Sequence, residues 1–253
     1  MAKKRSRYPI SFTTYEDFSN TFNSFFRSIP REAVLDWAEQ LDKSVLTLSD
    51  RRGHTAAHIL ASKAVLPEKF HTPDILLLAM HDNEWNGGWT VAHEAASSGD
   101  LPDCALTFKI LSARCRPDYD AGKTVANICA RANRLPERIQ TPQILAISDR
   151  FFRTAAHDLA FMGKLPKKWL SNKKVLAFSD SEENTVARAI FNWIEKEKRW
   201  DLLTPELLSS PVSEHYPNLS VVTSFKAYLI HISGSKDREL ECVVEKIPTD
   251  TLV

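Results

Sequence analysis

The chain has 253 residues, 43% hydrophobic and 26% charged, with 33 Lys/Arg against 32 Asp/Glu. This excludes wholesale disorder and low-complexity fibres, and it lacks the overall basic excess usual in nucleic-acid-binding domains. No apolar run approaches the ~18 residues of a bilayer-spanning helix, seven glycines leave little room for a phosphate-cradling loop, and four scattered cysteines (Cys104, Cys115, Cys129, Cys242) without C-x-x-C argue against zinc and fit reduced thiols in the cytoplasm.

Residues 1–10 read as a basic flexible tail, with four Lys/Arg in residues 1–7 and no apolar stretch behind them to make a secretory signal. Residues 11–29 set Tyr15, Phe18, Phe22, Phe25, Phe26 and Ile29 on one helical stripe, a pattern that predicts a capping helix. Residues 45–50 (Val-Leu-Thr-Leu-Ser-Asp) match an ending that recurs at 175–180 (Val-Leu-Ala-Phe-Ser-Asp). Residues 11–49 are therefore a cap helix followed by a degenerate repeat.

From 50 to 210 the chain repeats five times. Thr-x-Ala followed by a polar or basic residue occurs at Thr55–His58, Thr90–His93, Thr124–Asn127, Thr154–His157 and Thr185–Arg188. In the first four copies Leu-Pro follows at a fixed offset (Pro67, Pro102, Pro136, Pro166), and five residues later comes a hydroxyl residue (Thr72, Thr107, Thr141, Ser171). The fifth copy reaches its equivalent, Thr204, two residues late. The box Thr predicts a helix N-cap. Gly99, Gly163 and Asn133, each nine residues on, suit a left-handed helix exit, and Ala64 in the same slot suits it less. Leu-Pro then stops the helix. A second helix is expected from Thr-Pro at 72–73, 141–142 and 204–205 through to the Ser-Asp endings. One such pair cannot bury its apolar face alone, whereas stacked pairs share a core.

Residues 211–253 form the expected C-terminal cap. Val222, Phe225, Leu229 and Ile232, then Leu240, Val243, Val244 and Ile247, give two helical stripes around a turn at Gly234. The β-branched pairs at 221–222 and 243–244 leave a strand pair open as an alternative.

The Thr-x-Ala-His boxes, several of them two residues after a glycine, resemble the Thr-Pro-Leu-His box that opens the first helix of the ankyrin repeat. The resemblance covers residues 50–210. The proline of the box is missing, Leu-Pro replaces the usual link, and the inter-repeat segments are irregular. It implies an all-α, ankyrin-like helix-pair solenoid with non-repeat N- and C-terminal caps and a role in protein–protein binding. It also implies that the box residues Thr55, His58, Thr90, His93, Thr124, Thr154 and His157 brace neighbouring copies by hydrogen bonds.

Nothing in the chain assembles into specific catalytic machinery. Histidines in one register of a stack point in parallel and do not converge on a metal. His54 and His58 are an i, i+4 pair without a third ligand in view. No cofactor, metal or enzymatic activity is expected; the one enzymatic alternative would sit around His215 and His231.

Contacts are expected in the connecting loops and on a basic ridge. Residues 121–180 hold 11 Lys/Arg against 4 Asp/Glu. Arg131, Arg134 and Arg138 fall in one link, and Lys164, Lys167, Lys168, Lys173 and Lys174 in the equivalent link. The loop at 81–89 supplies Trp85 as an anchor, with Asn86 beside it, and the next loop supplies Tyr119. Arg150, Phe151, Phe152 and Arg153 form a further candidate, although the two phenylalanines would equally serve to plug a gap between copies. The expectation is a monomer, without membrane association, that binds a protein of acidic character. Nucleic acid on the ridge is the alternative.

Overall fold

The computed structural model describes residues 9–81, 87–116, 122–213 and 220–221. These residues form thirteen α-helices, short 3-10 turns and isolated β-bridges, with no strand among them. No helix among them is long and apolar enough to cross a membrane. The chain divides into two compact units, Met1–Arg134 and Leu135–Val253. The division falls inside the repeated region, after the first helix of the third copy.

The first unit begins with α1 (Tyr15–Phe26), capped by the Thr14 hydroxyl, and α2 (Arg31–Ala38). The expected stripe is real. Phe18, Phe22 and Phe25 are buried, and Trp37 of α2 meets Phe18 at 5.9 Å and Phe25 edge-on at 5.4 Å. The degenerate repeat contributes the single turn α3 (Lys43–Leu46). Then come α4 (Ala56–Ser62), α5 (Pro73–Leu76), α6 (Val91–Ser98), α7 (Phe108–Leu111) and α8 (Val125–Arg131). Helix α4 packs on α1 and α6, and α6 packs on α8. Small buried faces permit this: Ala56, Ala57 and Ala61 in α4, and Ala92, Ala95 and Ala96 in α6.

The second unit contains α9 (Pro142–Leu145), α10 (Ala155–Phe161), α11 (Lys173–Leu176), α12 (Val186–Glu197) and α13 (Pro205–Ser209). Helix α10 packs on α12, and α11 packs against α9, α12 and α13.

Each copy enters and leaves its first helix in the same way. The box Thr accepts from the N–H three residues on in all five copies. At the exit one residue turns left-handed: Ala64, Gly99, Asn133, Gly163 and Lys198 all have positive φ. The following N–H then reaches back five residues, as in Val65 N to Leu60 O (3.0 Å) and Lys164 N to Leu159 O (2.8 Å). This is the Schellman exit, and Ala64 adopts it despite its Cβ.

The second helix is shorter than the sequence suggested. After Leu-Pro the chain makes a 3-10 turn, such as Glu68–Phe70 or Lys167–Trp169, and then one α-turn, such as α5 or α11. That turn buries a Leu in every copy: Leu76, Leu111, Leu145, Leu176 and Leu208. The Ser-Asp endings lie outside the helix. The Ser forms an isolated bridge with the next box Thr (Ser49 with Thr55, Ser148 with Thr154, Ser179 with Thr185). The Asp carboxylate holds the turn between them. The fifth copy departs again, since α12 runs one turn longer and reaches its left-handed residue, Lys198, thirteen residues after Thr185 instead of nine.

Candidate functional site

The box histidines are buried and committed to hydrogen bonds. The Thr55 N–H donates to His58 Nδ1 at 3.1 Å, and the Thr55 hydroxyl lies 2.7 Å from the same nitrogen. Two donors on Nδ1 require the proton to sit on Nε2, which then donates to Trp89 O in the next copy at 3.3 Å. His93 repeats this with Thr90 and Lys123 O (3.3 Å), and His157 with Thr154 and Asn184 O (3.0 Å). In the third copy Asn127 Oδ1 accepts from the Thr124 hydroxyl at 2.6 Å. In the fifth the Thr185 hydroxyl donates instead to Pro211 O at 2.6 Å. Burial pushes the His58 imidazole down to about 3 and lowers His157 as well. His54 is also lowered by burial, and its Nδ1 lies 2.6 Å from the Tyr15 hydroxyl. Among the described residues no group of three His, Cys, Asp or Glu side chains could hold a metal.

The turns between copies differ in what they display. In the turn at 149–154, Asp149 Oδ1 accepts from the N–H groups of Phe151 (2.8 Å) and Arg153 (3.0 Å), and Phe151 O accepts from Ser181 N–H of the next turn (2.7 Å). The backbone is thereby fixed while its side chains project. Phe151 and Phe152 are 49% and 63% exposed, so they fill no gap between copies. Phe152 has φ +56, a left-handed conformation that costs a non-glycine residue roughly 1–2 kcal/mol. Arg150 lies over the Phe151 ring at 5.7 Å. Arg153 lies over Phe161 at 5.3 Å while pairing with the fully buried Asp158 at 2.8 Å. Phe161 and Met162, at the end of α10, are exposed too. The sequence pattern does not single out this pair, because α10 is buried from Ala155 to Ala160 and opens to solvent only at its end.

Lys164, Lys167 and Lys168 are exposed and line one open cleft of about 560 Å³ in the second unit. The cleft also involves Arg199 and Trp193, neither of which the repeat pattern singled out. Arg134 serves a structural end, donating to Ala96 O (3.1 Å) and Ser97 O (3.3 Å) at the C-terminal end of α6, where a cation is favoured. Trp85, Asn86 and Tyr119, together with His215, His231 and nearly all of the expected cap at 211–253, lie outside the described residues.

In comparison with known proteins, the sequence matches no protein-family model and no curated protein.

Proposed function

We propose that this protein is a non-catalytic, ankyrin-like helical-repeat scaffold that binds another protein through the aromatic turn at 149–154. The observation that carries this reading is the pair Phe151 and Phe152, exposed on a backbone that five hydrogen bonds hold in place. Neither ring is buried in the core, and a left-handed phenylalanine at 152 works against the fold. Exposed apolar groups on a rigid loop suit binding, because little ordering entropy remains to be lost when a partner covers them. The commitment of the box histidines to backbone and hydroxyl groups supports a structural role over a catalytic one. On this reading the copies form a solenoid, the protein acts as a monomer, and the cytoplasm suits the reduced thiols of Cys104 and Cys129.

The test is quantitative affinity capture from a nuclease-treated lysate with the parent and a Phe151→Arg/Phe152→Gly double variant of equal thermal stability. A protein captured stoichiometrically by the parent and lost from the variant is the expected result. Equal capture by both would sink the reading.

A further inference from the structure

The cleft in the second unit arises where the repeat breaks down. The link after α10 carries Gly163, Lys164 and Lys167, and α12, one turn longer than its counterparts, extends beside it with Trp193. Gly163 has φ +65, and a Cβ there would lie 2.0 Å from Trp193 Cε2, so the indole rests directly on the glycine backbone. Leu165, Leu170, Ile190 and Leu202 add apolar wall. The fifth copy has no Leu-Pro, and its link from Lys198 to Thr204 is two residues shorter than in the other copies.

The charges at the rim are not equivalent. Arg199 is held bidentately by Asp201, at 2.9 and 3.0 Å. Lys168 pairs with Glu137 at 3.2 Å and lies over the Trp169 ring at 5.3 Å. Lys164 and Lys167 make no ion pair among the described residues. An apolar floor of this size, with the Lys164 and Lys167 ammonium groups on one lip and Lys167 near enough to Asp201 to help lower its carboxyl, matches a ligand that is apolar at one point and anionic beside it. The carboxylate of Glu137 on the same rim, and that of Asp201 neutralising Arg199, disfavour a continuous phosphate backbone, which needs cations along its whole track.

We infer that this cleft docks an acidic linear segment of a partner protein, with one large apolar side chain seated against Trp193 and Gly163 and carboxylates on Lys164 and Lys167. The inference stands independently of the aromatic turn, which is a separate set of residues.

The experiment pans a random phage-displayed peptide library on the full chain and measures each recovered peptide against three proteins. These are the parent, Lys164→Glu/Lys167→Glu, and Phe151→Arg/Phe152→Gly. Acidic peptides with a shared apolar residue should emerge. Their affinity should fall at least about tenfold on the lysine variant and stay unchanged on the aromatic one. A milder Lys164→Gln/Lys167→Gln variant, expected to give a smaller loss in the same direction, guards against misfolding. Recovery of no peptide, of neutral or basic peptides, or of peptides indifferent to the lysines overturns the inference. Displacement of the peptides by polyuridylate with a steep salt dependence overturns it in favour of nucleic acid. Loss of peptide binding on the aromatic variant alone would move the site to the turn and leave the scaffold reading intact.

Discussion

The turns at 50–55 and 149–154 share one backbone and differ in what they show to solvent. Both are five residues from Asp to Thr, and in both the Asp Oδ1 accepts two N–H groups, from Arg52 (2.8 Å) and His54 (2.9 Å) in the first. Both have a left-handed residue in the fourth position, Gly53 in one and Phe152 in the other. The first turn carries Arg51-Arg52-Gly53 and the second Arg150-Phe151-Phe152. Folding requires only the aspartate and a residue able to turn left. The turn itself does not require the phenylalanines, since the same backbone forms at 50–55 without them.

The comparison breaks most sharply at the aspartate. Asp149 is buried, so Asp149→Ala strands two N–H groups and should cost about 3 kcal/mol in urea unfolding. Asp50 is only partly buried, and Asp50→Ala should cost about half as much. Equal losses would mean that the two turns are not held alike. Converting the fourth turn to the first by Phe151→Arg/Phe152→Gly should weaken partner binding by about 2 kcal/mol or more, the usual range for a buried aromatic anchor. Stability should stay within about 1 kcal/mol, because relief of the left-handed strain and the added chain entropy of glycine nearly offset.

Both turns lead into a box histidine whose folded pKa is depressed, so acid should soften the two alike. The unfolded chain takes up a proton near pH 6.5 that folded His58 refuses until about pH 3. The His58 contribution is therefore full above pH 6.5 and falls below it at about 1.4 kcal/mol per pH unit. His58 alone should cost roughly 2 kcal/mol by pH 5, with His157 adding in the same direction. His58→Asn, which copies the third box, should flatten the slope of melting temperature against pH. An unchanged slope would refute the assignment. The smallest effect is at the helix exit, where Ala64→Gly should stabilise the chain by about 0.5 kcal/mol by removing a strained left-handed alanine, as Gly99 already does in the next copy.

The first helix of the first four copies is legible because its determinants are local: a hydroxyl cap, an alanine-rich face, and an exit residue nine positions on. Ala64 looked unsuited to that exit. It takes the conformation because the hydrogen bond from Val65 N to Leu60 O closes the helix whatever the side chain. The second helix was over-read. Ser-Asp at 148–149 looks like a helix end, yet Ser148 bridges to Thr154 and Asp149 holds a turn, and the fixed five-residue spacing from Asp to Thr was the signal for it. The cleft was only half visible. Lys164, Lys167 and Lys168 stand together in sequence, whereas Trp193 meets Gly163 across thirty residues through packing that no local pattern encodes.

The imidazole that closes three of the five boxes has a consequence for how the chain is made. His58, His93 and His157 reach carbonyls 31, 30 and 27 residues downstream. None of these boxes is complete when its own helix leaves the ribosome, because the acceptor still lies inside the exit tunnel. Each of these three copies is locked only when its successor emerges, so these parts of the nascent protein consolidate one step behind their own synthesis, and a chain stalled just after one of them presents an unfastened histidine at its growing edge.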